Sequence, residues 1–152
     1  MTNCSSDFDK TKGGITVQIP DRLLHQNVLE TGQRELFSKE REHRVAVVDL
    51  PTKSISMTIG HLAPTRKTRR HRHTYETVLY IIKGSGRTIV EQKTVSWVAG
   101  DAVYVPVWAW HEHINDDSQN EAIYLACENA PLLQNLGGIA LREEDINDKT
   151  NR

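Results

Sequence analysis

The chain has 152 residues, enough to bury one sizeable core but short for two ordinary domains. Apolar residues are 38% and charged residues 26%, a globular composition that argues against disorder. Nineteen basic against twenty acidic side chains leave a formal charge of −1, which argues against a general nucleic-acid binder.

In chain order, residues 1–14 are polar, end in Gly13-Gly14 and read as a flexible tail. They show no basic region followed by an apolar stretch, and no run reaches the roughly 18 apolar residues of a membrane helix. A cytoplasmic protein that does not enter membranes is expected. Residues 15–44 form a mixed N-terminal segment. Its first part, ITVQI, suits a strand, and Leu23, Leu24, Val28, Leu29 and Leu36 suit one or two short helices interrupted at Thr31-Gly32. From residue 45 the texture changes to short β-branched runs broken by turn residues. Strands are expected at 45–50, 54–62, 75–83, 86–91, 93–98, 101–106, 109–115 and 121–127. Regular short strands without intervening helices predict an all-β barrel or sandwich over 45–130. Residues 131–152, with Pro131, Gly137-Gly138 and an acidic stretch, read as a packing arm and tail. The two cysteines, Cys4 and Cys127, form no C-x-x-C pair, which excludes a disulfide framework or an all-thiolate zinc site.

Four of the seven histidines fall in two H-x-H pairs, His71-Arg72-His73 and His111-Glu112-His113. On a strand, residues i and i+2 project to the same side, so each pair can grip one ion. The pairs lie about forty residues apart, and a barrel can bring them together. Either pair alone is equally consistent with ordinary surface histidines. Arg66, Lys67, Arg69, Arg70 and Arg72 form a basic cluster beside the first pair. It suits a clamp for a substrate carboxylate, with Arg69 inward by parity, or a solvated loop balanced by nearby acids. Tyr104, Trp108 and Trp110 are candidates for an aromatic wall, and equally for core or interface. Cys127 reads as a small buried apolar residue.

The spacing Gly100-x5-Pro106-Val107-Trp108-x2-His111-x3-Asn115 resembles the second cupin motif, G-x5-P-x-G-x2-H-x3-N, with Trp108 at the second glycine. The first motif, G-x5-H-x-H-x3,4-E-x6-G, is matched by His71, His73 and Gly84, while Thr65 stands at its opening glycine. Fifteen residues separate Gly84 from Gly100, like the short inter-motif loop of small bacterial cupins. The resemblance, over about 60–128, implies a cupin-type double-stranded β-helix, a jelly-roll barrel with a short N-terminal helical segment. The family's metal-binding glutamate position, counted back from Gly84, holds Thr77. Glu76 falls on the opposite face unless a bulge shifts the register. A metal site of His71, His73 and His111 is then similar to that of the gentisate, salicylate and hydroxynaphthoate dioxygenases. The stretches HRHT (71–74) and PVWAWHEH (106–113) are similar to that group too, although its members are usually two-barrel chains.

The resemblance implies an Fe(II)-dependent dioxygenase cleaving an anionic aromatic hydroxy-acid or an enolate. By analogy His113 is a hydrogen-bond partner of the site or a proton shuttle, and equally it suits a hydrogen-bonded barrel histidine without catalytic duty. An arginine orients the substrate carboxylate, with Arg69 the candidate by its parity. Imidazole also suits Ni, Cu and Zn, and Mn is a further candidate among divalent metals. A non-oxygenase metal cupin (isomerase, lyase or cyclase) and a non-catalytic small-ligand-binding cupin are the alternatives. Cupins commonly pair through sheet edges or swapped terminal strands, so a homodimer is expected, with residues 15–19 as a candidate strand.

Overall fold

The computed structural model describes residues 17–148. The tail expected at 1–14 and the first two residues of the 15–19 strand lie outside the described residues, and 17–19 carry no regular structure. Two short helices follow, α1 (Val28–Thr31) and α2 (Glu35–Arg41), separated around Gly32 as the Thr31-Gly32 break predicts. Neither contains a buried residue, so both rest on the surface of the strands rather than build the core.

Nine strands come next: β1 (Arg44–Val47), β2 (Ser56–Leu62), β3 (His71–His73), β4 (Thr77–Lys83), β5 (Ser85–Val90), β6 (Lys93–Val98), β7 (Ala102–Val105), β8 (His111–Ile114) and β9 (Ala122–Glu128). Helix α3 (Ala130–Asn135) and strand β10 (Arg142–Glu144) complete the chain. The strands form two five-stranded antiparallel sheets, ordered β1-β2-β9-β4-β7 and β10-β3-β8-β5-β6. The sheets are hydrogen-bonded separately, so the jelly roll is an open sandwich rather than a closed barrel. No helix among the described residues is long and apolar enough to cross a membrane.

Alternation fills the space between the sheets. In β4, Thr77, Leu79 and Ile81 are buried while Val78, Tyr80 and Ile82 face outward. In β9, Ala122, Tyr124 and Ala126 are buried. With Leu62, Trp97, Val103 and Val105 they make one continuous core, each large apolar side chain contributing about 1.5–3 kcal/mol by leaving water. Two differences from the sequence reading bear on the site. His71–His73 form a separate three-residue strand, not part of the run expected at 75–83, because Thr74–Glu76 turn the chain between sheets. The C-terminal arm is also more than packing, since β10 pairs with β3 in register Arg142↔His73 and Glu144↔His71.

The motif glycines have a conformational reason. Gly84 and Gly100 hold φ 85 and 98, in the left-handed region that glycine enters without strain. Thr65 and Trp108, which stand where the motifs carry glycine, take φ 62 and 61 all the same. The backbone geometry persists although the side chains there make it costlier. Trp108 is held by a hydrogen bond from its N–H to the His73 carbonyl (2.8 Å) and by Arg72 stacked 4.3 Å above its ring. Asn115, buried at the end of the second motif, donates from Nδ2 to the carbonyls of Leu62 (3.0 Å) and Asn120 (2.8 Å) and clamps the loop before β9.

Candidate metal centre

His71 and His111 are cross-strand partners of β3 and β8, and His73 lies two residues from His71 on the same inward face. All three are buried, and one ring nitrogen from each lies within 4.8 Å of the others. Each Nδ1 lies against a backbone carbonyl: His71 on Arg69 (2.7 Å), His73 on Tyr75 (2.7 Å) and His111 on Ala109 (2.8 Å). A carbonyl only accepts, so each Nδ1 carries the proton and each Nε2 keeps a free lone pair. Burial holds the imidazoles neutral, taking His73 to about 4, His111 to about 3 and His71 well below its ordinary value. Three neutral, oriented and converging lone pairs are the donor set a divalent ion takes, each fixed from behind by a carbonyl.

His113 shares the inward face with the opposite tautomer. The buried Thr88 hydroxyl accepts from Trp97 Nε1–H (3.0 Å) and lies 2.9 Å from His113 Nδ1. The hydroxyl hydrogen goes to that nitrogen, its remaining partner among the described residues, so His113 carries its proton on Nε2. Glu76 is exposed and accepts from the Tyr104 hydroxyl (2.8 Å), while Thr77 lines the cavity. The bulge in β4 falls at Ile81–Lys83 and leaves the parity at Thr77 intact.

The basic cluster turns outward. Arg69 binds Glu144 (2.8 Å) and Glu42, Arg70 binds Asp145 (3.4 Å), Arg72 binds Glu143, and Lys67 binds Glu112 and Asp148. Arg69 is therefore not at the cavity. Alternation does not extend back from His71 because β3 begins there, and Thr68 takes the inward position, its hydroxyl accepting from the His113 amide (3.0 Å). Tyr104 and Trp108 are exposed and Trp110 half-buried, outside the cavity, with Trp108 and Trp110 flanking Arg72 at 4.3 and 4.5 Å.

Other residues, which the sequence reading did not single out, complete the cavity of about 50 Å³ around the triad. They include Arg41 and Phe37 from α2, His43, Tyr124 and Glu128 from β9, and Arg142 from β10. Strand alternation in β9 offered a signal for Tyr124 and Glu128. Nothing local marked Arg41 or Arg142, which distant elements bring in. Arg41 stacks on Phe37 at 4.2 Å, and its buried Nε has no hydrogen-bond partner among the described residues. Arg142 reaches Glu144 (3.2 Å), and burial lowers its pKa. His43 donates from Nδ1 to the Arg41 carbonyl (2.9 Å) and accepts from the Tyr124 hydroxyl at Nε2 (2.8 Å).

Burial takes the His43 pKa down to about 4 from 6.5. The unfolded chain therefore takes up this proton first as pH falls. His43 costs no stability above about pH 6.5, weakens the fold from there to about pH 4, and adds no further loss below that. Thermal melts of His43→Gln across pH 7 to 4 are expected to fall less steeply than wild type. Equal acid slopes would rule this assignment out.

Residues 58–127 match the family model described as a cupin domain. Among curated proteins, a 5-aminosalicylate 1,2-dioxygenase from Comamonas sp. is 40% identical over 88 residues, which is 58% of this chain and 22% of that protein. The gentisate 1,2-dioxygenase 1 of Aquipseudomonas alcaligenes is 30% identical over 93 residues, 55% of this chain and 27% of that one. This chain thus spans about a quarter of the length of these relatives. Among solved structures, the salicylate 1,2-dioxygenase of Pseudaminobacter salicylatoxidans superposes with a TM-score of 0.65 at 23% identity, covering 76% of this chain and 35% of that one. A cupin-2 domain protein from Rhodospirillum rubrum superposes at 0.58 and 17% identity, covering 70% of this chain and 68% of its own. Both likenesses show the fold.

Proposed function

We propose that this chain is a metal-dependent, ring-cleaving dioxygenase acting on an aromatic hydroxy-acid, with Fe(II) held by His71, His73 and His111. The observation that carries the reading is the set of three neutral imidazoles with free Nε2 lone pairs and no carboxylate among them. Support comes from relatives named as dioxygenases of 5-aminosalicylate and gentisate. A bound ferrous ion supplies open positions for chelation by an ortho hydroxy-carboxylate and for reaction with dioxygen. With no carboxylate in the ligand set, an ion held there would keep its attraction for an anionic chelator.

The remaining roles belong to the chain's own side chains. Arg142 is the cross-strand partner of His73 and stands at the triad, so it takes the substrate carboxylate, with Arg41 beside it. This is the role the sequence reading gave to Arg69. His113 presents its Nε2–H and can donate a hydrogen bond to a developing oxyanion. Val45, Leu79 and Ala126 exclude water and raise the strength of these interactions. The cavity of about 50 Å³ is well below the roughly 300–1,000 Å³ of typical ligand sites. Substrate entry therefore displaces Phe37, which α2 holds over the cavity.

Protein purified anaerobically and loaded with Fe(II) is expected to consume oxygen with gentisate, 5-aminosalicylate, salicylate or 1-hydroxy-2-naphthoate. Turnover of any of these without oxygen uptake would favour a Lewis-acid isomerase or lyase. Binding without turnover would favour a ligand-binding cupin.

A further inference from the structure

The two walls of the cavity differ in charge. The triad and Arg142 project from the sheet containing β3, β8 and β10, while Glu128 projects from β9 in the facing sheet. Glu128 stands at the rim, partly exposed as a residue but lining both the cavity and a groove of about 670 Å³ between α2 and β1–β2. Phe37 and Thr58 line both spaces as well, so this is where cavity and groove adjoin.

Glu128 is the cross-strand partner of Thr77, whose hydroxyl approaches Oε1 at 3.5 Å, and of Ser56. No ion pair to Glu128 is formed among the described residues, and burial pushes its carboxyl up against the pull of Arg41 and Arg142. A largely buried carboxylate held by the hydroxyls of Thr77 and Ser56 alone, with no ion pair among the described residues, gains from any stronger donor a ligand supplies.

We infer that Glu128 is a specificity-determining residue: it accepts a hydrogen bond from an amino or hydroxyl group on the side of the aromatic ring remote from the chelating groups. This rests on the function proposed above and narrows its substrate class. An ortho hydroxy-carboxylate held at the triad wall by its two oxygens points the far edge of its ring toward the opposite sheet. A 5-amino or 5-hydroxyl group there donates to Glu128. Unsubstituted salicylate leaves Glu128 without a donor, and a second carboxylate at that edge is repelled. The cavity thus reads its ligand as an anion at one end and a hydrogen-bond donor at the other.

The test is anaerobic calorimetric binding of 5-aminosalicylate and of salicylate to Fe(II)-loaded wild type, Glu128→Leu and Glu128→Gln. Metal content and thermal melts are recorded for each protein. Wild type is expected to bind 5-aminosalicylate about 10- to 100-fold more tightly than salicylate, the range of one charge-assisted hydrogen bond. Glu128→Leu is expected to bring the ratio to about one without weakening salicylate. Glu128→Gln, which keeps the shape and removes the charge, is expected to lie between and serves as the reading if the leucine variant does not fold. An unchanged ratio in a folded, metal-loaded variant would overturn the inference and leave the proposed function standing. Failure of wild type to bind either compound would overturn both.

Discussion

Replacing His111 with alanine is expected to abolish both metal retention and oxygen-dependent turnover while leaving the sandwich folded. The imidazole is one of three whose lone pairs converge within 4.8 Å, and two remaining neutral donors make a poor site for a divalent ion. Loss of a residue that merely orients a ligand costs about 10–100-fold in metal affinity or activity, and loss of the ligand itself is expected to exceed that range. The fold survives because the apolar core is built from Leu62, Ile81, Trp97, Val103, Val105 and the inward face of β9, not from the triad. Dialysed variant and wild type are compared by elemental analysis, oxygen electrode and melting of the metal-free proteins. Full iron occupancy in His111→Ala would remove the triad as the metal site.

Arg142→Gln is expected to raise KM about 10- to 100-fold for substrates that carry a carboxylate and to leave iron content unchanged. The guanidinium is buried beside His73, and burial lowers its pKa, so a substrate anion gains more from it than from a solvated arginine. Glu144, its present partner, keeps Arg69 when Arg142 is removed, and Glu128 keeps the pull of Arg41. Catechols, which chelate through two hydroxyls and lack the carboxylate, serve as the internal control. A uniform loss across carboxylate and catechol ligands would show a structural role instead of recognition.

Much of the centre was legible because it depends on short-range parity. Two residues apart on a strand means one face, which paired His71 with His73 and His111 with His113 and set Glu76 outside. The glycine spacing carried the loop geometry even where Thr65 and Trp108 replaced glycine. What failed was extrapolating alternation beyond a strand's end. Arg69 precedes β3, and the segment before it is pinned by Thr68 at the His113 amide, so the guanidinium meets Glu42 and Glu144 outside. Four of the acids that neutralise the basic cluster, Glu143, Glu144, Asp145 and Asp148, lie some seventy to eighty residues away in sequence. Arg41 and Arg142 enter the cavity from α2 and β10, and only the tertiary arrangement brings them to the histidines. The same holds for Glu128, unremarkable in sequence and placed by sheet packing opposite the triad.

The most direct test of the account is mass spectrometry of the product formed from 5-aminosalicylate or gentisate under 18O2 by the iron-loaded protein. A ring-opened product that has gained both labelled atoms, and none with His111→Ala, is the predicted result. A product formed without labelled oxygen would contradict the account and make the three-histidine centre a Lewis-acid site.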